Sequence, residues 1–165
     1  MPYLAKKPII IGVRVKYMPT LADNRRSLRD FQVIDEIEAG LVLAGHEVKS
    51  VRDGQMKLTG SYVTIASGEA RLINAHIPAY PKAGKLKDFD PKRTRKLLIH
   101  KREIAKLAGK MKVKGLTLVP ISVYTKGSMI KLKFGLARGR KEYEKKEQKK
   151  QRDIARDVQR DLRGE

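Results

Sequence analysis

Ile130-Lys131-Leu132-Lys133-Phe134-Gly135-Leu136 is the stretch that decides the fold. Apolar side chains at every second position, with lysines between them, have the period of a β-strand with one face in a core and the other in water. Just upstream, Lys126-Gly127 reads as a turn, and the apolar run Leu116 to Tyr124 reads as another strand. Pro120 interrupts that run and predicts a sheet edge or a bulge. The lysine face is either an ordinary solvated surface or a surface that meets phosphate.

The same reading extends toward the N-terminus. Phe31, Val33, Ile34 and Ile37 give a strand with imperfect alternation. Tyr62 to Ala66 alternates, Ser67-Gly68 turns, and Glu69 to Ile77 returns as its partner until Pro78 and Pro81 end it. Two helices are expected. Leu41, Ala44, Val48 and Val51 recur at helical spacing from Gly40 to a stop at Asp53-Gly54. Gly40 and Gly45 weaken that helix by about 1 kcal/mol each and suggest a close backbone approach, to a sheet or to RNA. Asp90-Pro91 signals a second helix, running to Ala108 before Gly109. Leu97, Leu98, Ile104 and Leu107 would face the core, and Lys92, Arg93, Arg95 and Lys96 would be presented by its first turns. Five or more short strands with helices among them predict a mainly β, α+β fold. The expected architecture is a small OB-like β-barrel, closed or partly open, with flanking helices.

The chain has 165 residues and a net charge of +20, with 38 Lys and Arg against 18 Asp and Glu. Residues 138–165 hold 11 of those bases and 7 of the acids, so most of the positive excess lies in residues 1–137. A domain this basic attracts polyanions at long range and gains by releasing counterions from phosphates. Three segments follow: an N-terminal arm over 1–23, flexible or strand-adding; an RNA-binding barrel over 24–137; and a basic tail over 138–165. A basic loop over 82–90 carries Lys82, Lys85 and Lys87.

The tail has helical spacing but no core of its own. Ile154, Val158 and Leu162 form a single narrow stripe, and Glu142 with Lys146, Asp153 with Arg156 and Asp157 with Arg160 fall at pairing distance on a helix. Such pairs contribute about 0.2–0.5 kcal/mol each, too little to hold a free helix of this length. The tail is expected to be disordered alone and helical on its partner.

Several classes are set aside. There is no cysteine, so disulfides and thiolate metal sites are excluded, in keeping with a cytoplasmic location. His46, His76 and His100 lack the spacing of a zinc site. Ile9-Ile10-Ile11 is too short for a membrane span or a signal core, and the basic first 22 residues lack the serines of a transit peptide. No phosphate-cradling loop or nucleophile–base spacing supports an enzyme, and no catalytic residue, metal or cofactor is expected.

Longer strings go further. Glu38-Ala39-Gly40, Leu43, Gly45, Glu47-Val48-Lys49-Ser50 and Arg52 resemble the first helix region of the SsrA-binding protein family, also called small protein B. Ser61-Tyr62-Val63, Asn74, His76 and Ile77 resemble its hairpin. Asp90-Pro91, Arg93, Arg95-Lys96-Leu97-Leu98 and His100-Lys101-Arg102-Glu103 resemble its second helix, and Lys114-Gly115-Leu116-Thr117 and Leu136-Ala137-Arg138-Gly139 complete the likeness. It spans Asn24 to about Asp153.

The resemblance implies a translational rescue factor whose partners are transfer-messenger RNA and the ribosome. In such a factor the barrel holds the tRNA-like part of the RNA. The tail enters the empty mRNA channel, near the small-subunit decoding centre, of a ribosome stalled without a stop codon. By the same resemblance, Asn24, Arg25, Glu38, Leu98 and Lys131 fall at RNA-binding positions, and Arg93, Arg95 and Lys133 are added as basic neighbours. Glu38 does not attract phosphate; it would accept from base or sugar donors, orient a nearby arginine, or form a scaffold salt bridge. Leu98 is equally readable as core, and Asn24 as a turn residue. In the tail Gly139 is read as a hinge, and Tyr143 as an aromatic side chain that stacks in the decoding centre. Glu144, Lys145, Lys146 and Ile154 would line its path, with Lys146 standing where the family carries an arginine. A monomer with no membrane contact is expected. The rival reading is another RNA-binding class, such as a ribosomal protein or an RNA chaperone.

Overall fold

The computed structural model describes residues 19–84 and 87–162. Most of the expected arm (1–18) and Lys85 of the basic loop lie outside them. In chain order the elements are β1 (Thr20–Asp23), α1 (Arg25–Leu28), β2 (Phe31–Leu41), α2 (Gly45–Arg52), β3 (Tyr62–Ala66) and β4 (Glu69–Ile73). They continue with β5 (Arg95–Leu98), α3 (Lys101–Lys110), β6 (Leu116–Lys126), β7 (Met129–Gly139) and α4 (Glu142–Asp161).

The strands run in the order β6-β3-β4-β5-β2-β7, and β7 pairs again with β6, so the sheet closes into an antiparallel barrel. β1 adds to β6 outside that circuit, placing the last residues of the expected arm in the sheet. The alternation of β7 is the strongest organiser. Ile130, Leu132, Phe134 and Leu136 point inward and are buried with Leu72, Leu118 and Val123. Burying a side chain such as Phe134 contributes about 1.5–3 kcal/mol. Pro120 marks a bulge, as its position predicts: the register between β6 and β7 shifts between Pro120 and Ser122. Ser67 and Gly68 both take positive φ and close the β3–β4 hairpin tightly.

Both expected helices begin later than their spacing suggests. β2 continues through Leu41, so Gly40 is a strand residue, and α2 starts only at Gly45. The close approach at Gly40 is to the sheet: a Cβ there would lie 3.3 Å from the Leu98 Cβ. The expected helix from Pro91 to Ala108 is a turn, a strand and a shorter helix. Asp90 accepts from the Lys92 amide at 2.8 Å and its carbonyl from the Arg93 amide at 3.3 Å, so its capping capacity serves a turn. Arg95 to Leu98 then alternates, with Arg95 and Leu97 buried and Lys96 and Leu98 exposed. The helix itself starts where the Glu103 carboxylate accepts from the His100 amide at 3.1 Å, and Gly109 lies within its last turn. Leu98 is thereby removed from the core and placed on the outside of the barrel.

Candidate nucleic-acid interface

Strand register builds one outer surface across four strands. Tyr124 of β6 lies opposite Lys131 of β7, Lys131 opposite Gly40 of β2, and Gly40 opposite Leu98 of β5. With no side chain at Gly40, Leu98 leans over the gap while staying 58% exposed. Glu38, two residues before Gly40 on the same face, completes the group. Glu38, Leu98 and Lys131 line one cleft of about 560 Å³, with His100 and Glu103 from the start of α3 at its rim. Three residues far apart in sequence and marked by the resemblance thus converge.

The cluster is organised by charge. Glu38 Oε2 accepts from the Tyr124 hydroxyl, and Oε1 lies 3.2 Å from Lys126 Nζ and 3.9 Å from Lys131 Nζ. The Tyr124 hydrogen bond, then that of Lys126, holds the Glu38 carboxyl below the usual carboxylate range. Burial, with the Glu38 hydrogen bond and charge, pushes the Tyr124 phenol upward, so it is a neutral donor at physiological pH. Of the readings open for Glu38, the scaffold salt bridge is the one the structure forms: its charged partners are Lys126 and Lys131, not an arginine. Lys133, also on this face, pairs with Glu36 at 3.2 Å.

The remaining predicted positions lie elsewhere. Asn24 is only 3% exposed, and its amide donates to the Pro120 carbonyl at 2.8 Å while its backbone N–H donates to Ile121 at 3.0 Å. It holds the β6 bulge through its amide nitrogen. Arg25, beside it, is exposed and pairs with Asp23 at 2.7 Å. Arg95 is fully buried: its guanidinium donates to Glu47 and to the carbonyls of Ala75, Arg93 and Pro91. Arg95 is therefore not at an RNA surface, contrary to expectation, because β5 turns it inward. Arg93 keeps one flank in solvent but closes on both oxygens of Glu47.

The tail residues follow a sharply fixed exit. Gly139 is still paired with Phe31 in the sheet, and the next residue is held by two bonds, Arg140 N–H to the Asp30 carbonyl at 2.8 Å and Arg140 Nε to the Phe31 carbonyl at 3.1 Å. No left-handed φ occurs at Gly139, so the conformation there does not require glycine. Glu144 accepts from the Lys141 amide at 2.9 Å and starts α4. Lys145 reaches Asp30 at 3.5 Å and Glu142 at 3.8 Å, taking the place expected of Lys146. α4 buries none of its side chains: Tyr143 is 62% exposed, and Ile154, Val158 and Leu162 face solvent along one stripe. The two other expected pairs form, each at 3.9 Å.

Tyr124, Lys126 and Glu47 escape a reading of the sequence. The bulge reverses the parity of β6, so which face Tyr124 occupies is not countable from its neighbours. Among the described residues no group of His, Asp or Glu is arranged to hold a metal, and no helix is long and apolar enough to cross a membrane.

A family model described as SmpB protein matches residues 21–164. The SsrA-binding protein of Roseiflexus castenholzii is 48% identical over 126 residues, covering 76% of this chain and 80% of its own. The SsrA-binding protein of Enterococcus faecalis is likewise 48% identical, covering 76% and 81%. A solved structure described as "tmRNA-SmpB: a journey to the center of the bacterial ribosome" superposes with a TM-score of 0.61 at 45% identity, covering 73% of this chain and 84% of that one.

Proposed function

This chain belongs to the SmpB protein family, and from that premise we propose how its parts divide the family's work. It binds transfer-messenger RNA and delivers it to ribosomes stalled without a stop codon, as an RNA-binding adaptor rather than an enzyme. The outer face of β6, β7, β2 and β5 holds the tRNA-like part. One observation carries this reading: Glu38, Leu98 and Lys131 arrive from three strands at a single cleft. The cleft offers apolar side chains and one ammonium group beside the carboxylates of Glu36, Glu38 and Glu103, a mixture suited to the unstacked bases, sugar hydroxyls and phosphates of a folded RNA rather than to a duplex groove. Lys133, on the same outer face, extends the basic surface beside it; Arg25 and Arg93 offer separate exposed basic groups outside the cleft.

The tail does the second job. A helix with no buried side chain gains nothing from the barrel's core, so its apolar stripe and Tyr143 are free for another surface. α4 enters the empty mRNA channel, Tyr143 stacks near the decoding centre, and Lys145, Lys146 and Ile154 follow along the channel. The fixed exit at Arg140 aims it. Since its partners are the ribosome and a ribosome-bound RNA, the protein works in the cytoplasm.

Truncation tests the division. The cut belongs after Lys141, because removal of Gly139 and Arg140 would strip β7 of its last pairing with Phe31 and Asp30. Residues 1–141 are expected to retain transfer-messenger RNA with near-normal affinity while tagging of stalled products is lost. Loss of RNA binding in this variant would overturn the assignment.

A further inference from the structure

The carboxylate of Glu38 is the common partner of two lysines and a buried phenol. Lys126 Nζ and Lys131 Nζ stand 3.2 and 3.9 Å from the same oxygen, Oε1, which bounds their separation at roughly 7 Å. Any separation within that bound can be spanned by two oxygens of one phosphate, each accepting a charge-assisted hydrogen bond of about 2.8 Å. The other oxygen, Oε2, is held from below by Tyr124, which is buried within the wall of the barrel. Neither lysine is held by another acidic side chain among the described residues. Left alone, two ammonium groups this close would repel each other, and each would lose rotamer freedom on being ordered. A carboxylate between them removes both obstacles and still leaves the group with one net positive charge.

We propose that Lys126 and Lys131, gathered by Glu38 and anchored through Tyr124, form a two-lysine fork that binds one backbone phosphate of the RNA. Lys126 is thereby a binding residue of the interface, and Tyr124 and Glu38 are positioning residues that act through the lysines. This inference rests on the assignment of the outer barrel face to transfer-messenger RNA. It makes a prediction opposite in sign to simple charge counting. Glu38→Gln removes a negative charge beside the RNA, so counting predicts tighter binding. A fork without its organiser predicts weaker binding.

The experiment measures equilibrium binding of the full-length protein to transfer-messenger RNA over a range of salt. Lys126→Ala and Lys131→Ala are each expected to weaken binding about three- to tenfold at moderate salt and to lower the slope of log affinity against log salt by about one. Tyr124→Phe keeps the ring and loses only the hydroxyl; it is expected to weaken binding about threefold with the slope unchanged. Glu38→Gln is expected to weaken binding in the wild-type background and to have little effect once both lysines are alanine. Circular dichroism melts accompany each variant, and Lys126→Ala, being exposed, keeps the test open should Tyr124→Phe not fold. If Lys131→Ala weakens binding but Lys126→Ala and Tyr124→Phe do not, the fork is wrong and the interface stands. If Lys131→Ala is also silent, the interface assignment fails. An undiminished Glu38→Gln effect without the lysines would mean that Glu38 touches the RNA itself, and would sink the positioning role.

Discussion

The Arg95 guanidinium and the Glu47 carboxylate meet at 2.8 Å with neither side chain exposed to solvent. One belongs to β5 and the other to α2, so the pair ties the helix to the barrel wall. Arg93 adds a second clamp, and the Ala44 amide donates to the same carboxylate at 2.9 Å. A buried pair is weak evidence for net stability, but removing one partner leaves the other charged and unpaired. Glu47→Ala is therefore expected to cost about 3–5 kcal/mol in urea denaturation. A loss under 1 kcal/mol would show that Arg95 finds other acceptors.

The same carboxylate predicts a pH dependence. Burial pushes the Glu47 carboxyl up, but hydrogen bonds from Arg93, the Ala44 amide and Arg95 outweigh it and leave it below its ordinary value. A depressed folded value contributes stability that is complete above the unfolded range, near pH 4.3, and is lost as pH falls through the folded value. Wild-type stability should fall on acidification below about pH 4, and that of Glu47→Gln should fall less steeply over the same interval. Urea midpoints between pH 3 and 7 measure both slopes; equal slopes would remove Glu47 from the account.

Asn24 separates holding from touching. Its amide is buried on Pro120, so Asn24→Ala should cost about 1–3 kcal/mol of stability through the orphaned carbonyl and the loosened bulge. RNA affinity should drop with it, but the salt slope should stay at the wild-type value, since no phosphate-binding cation is lost. A reduced slope would place Asn24 in the contact surface after all.

Leu98 gives the reverse pattern. Because it lies exposed beside Gly40, Leu98→Ala should change stability by no more than about 0.5 kcal/mol. If RNA covers it, binding should weaken by about 1–2 kcal/mol, the value of apolar surface removed from water. A stability loss without a binding loss would return Leu98 to the role of a packing residue.

Much of the fold was legible because β7 alternates cleanly and its turn and hairpin partners are punctuated by glycine. The misreadings have a common cause. Leu41 and Leu97 have spacings compatible with a helix, and only pairing with neighbouring strands decides otherwise. Asp90-Pro91 signals a helix start or a turn equally well, and the capping carboxylate of Glu103 lay ten residues or more downstream. The site was legible only through the family strings. Glu38, Leu98 and Lys131 carry no local mark of belonging together, since barrel closure brings them to one face. Gly135 is a further case: it reads as a member of the lysine face. A Cβ there would come within 2.8 Å of Val33 and 3.2 Å of the Asp35 carbonyl, where β2 bulges toward it.

The last prediction concerns the tail as a separable unit. A peptide spanning 141–162 carries Glu144 at the helix start and pairs at Asp153–Arg156 and Asp157–Arg160, but those contributions of about 0.2–0.5 kcal/mol each do not offset the cost of nucleation. Its circular dichroism should show low helicity that falls further with salt, because what holds it is largely ionic. In the full chain, Tyr143→Ala leaves the barrel untouched, since Tyr143 contributes nothing to its core. Melting temperature and affinity for transfer-messenger RNA should match wild type. Tagging of stalled products should drop by about five- to 150-fold, the equivalent of losing one stacking contact of about 1–3 kcal/mol. Normal tagging by Tyr143→Ala would remove the aromatic contact from the ribosomal step. Strong helicity of the peptide at high salt would mean that the helix is already formed before the ribosome is met.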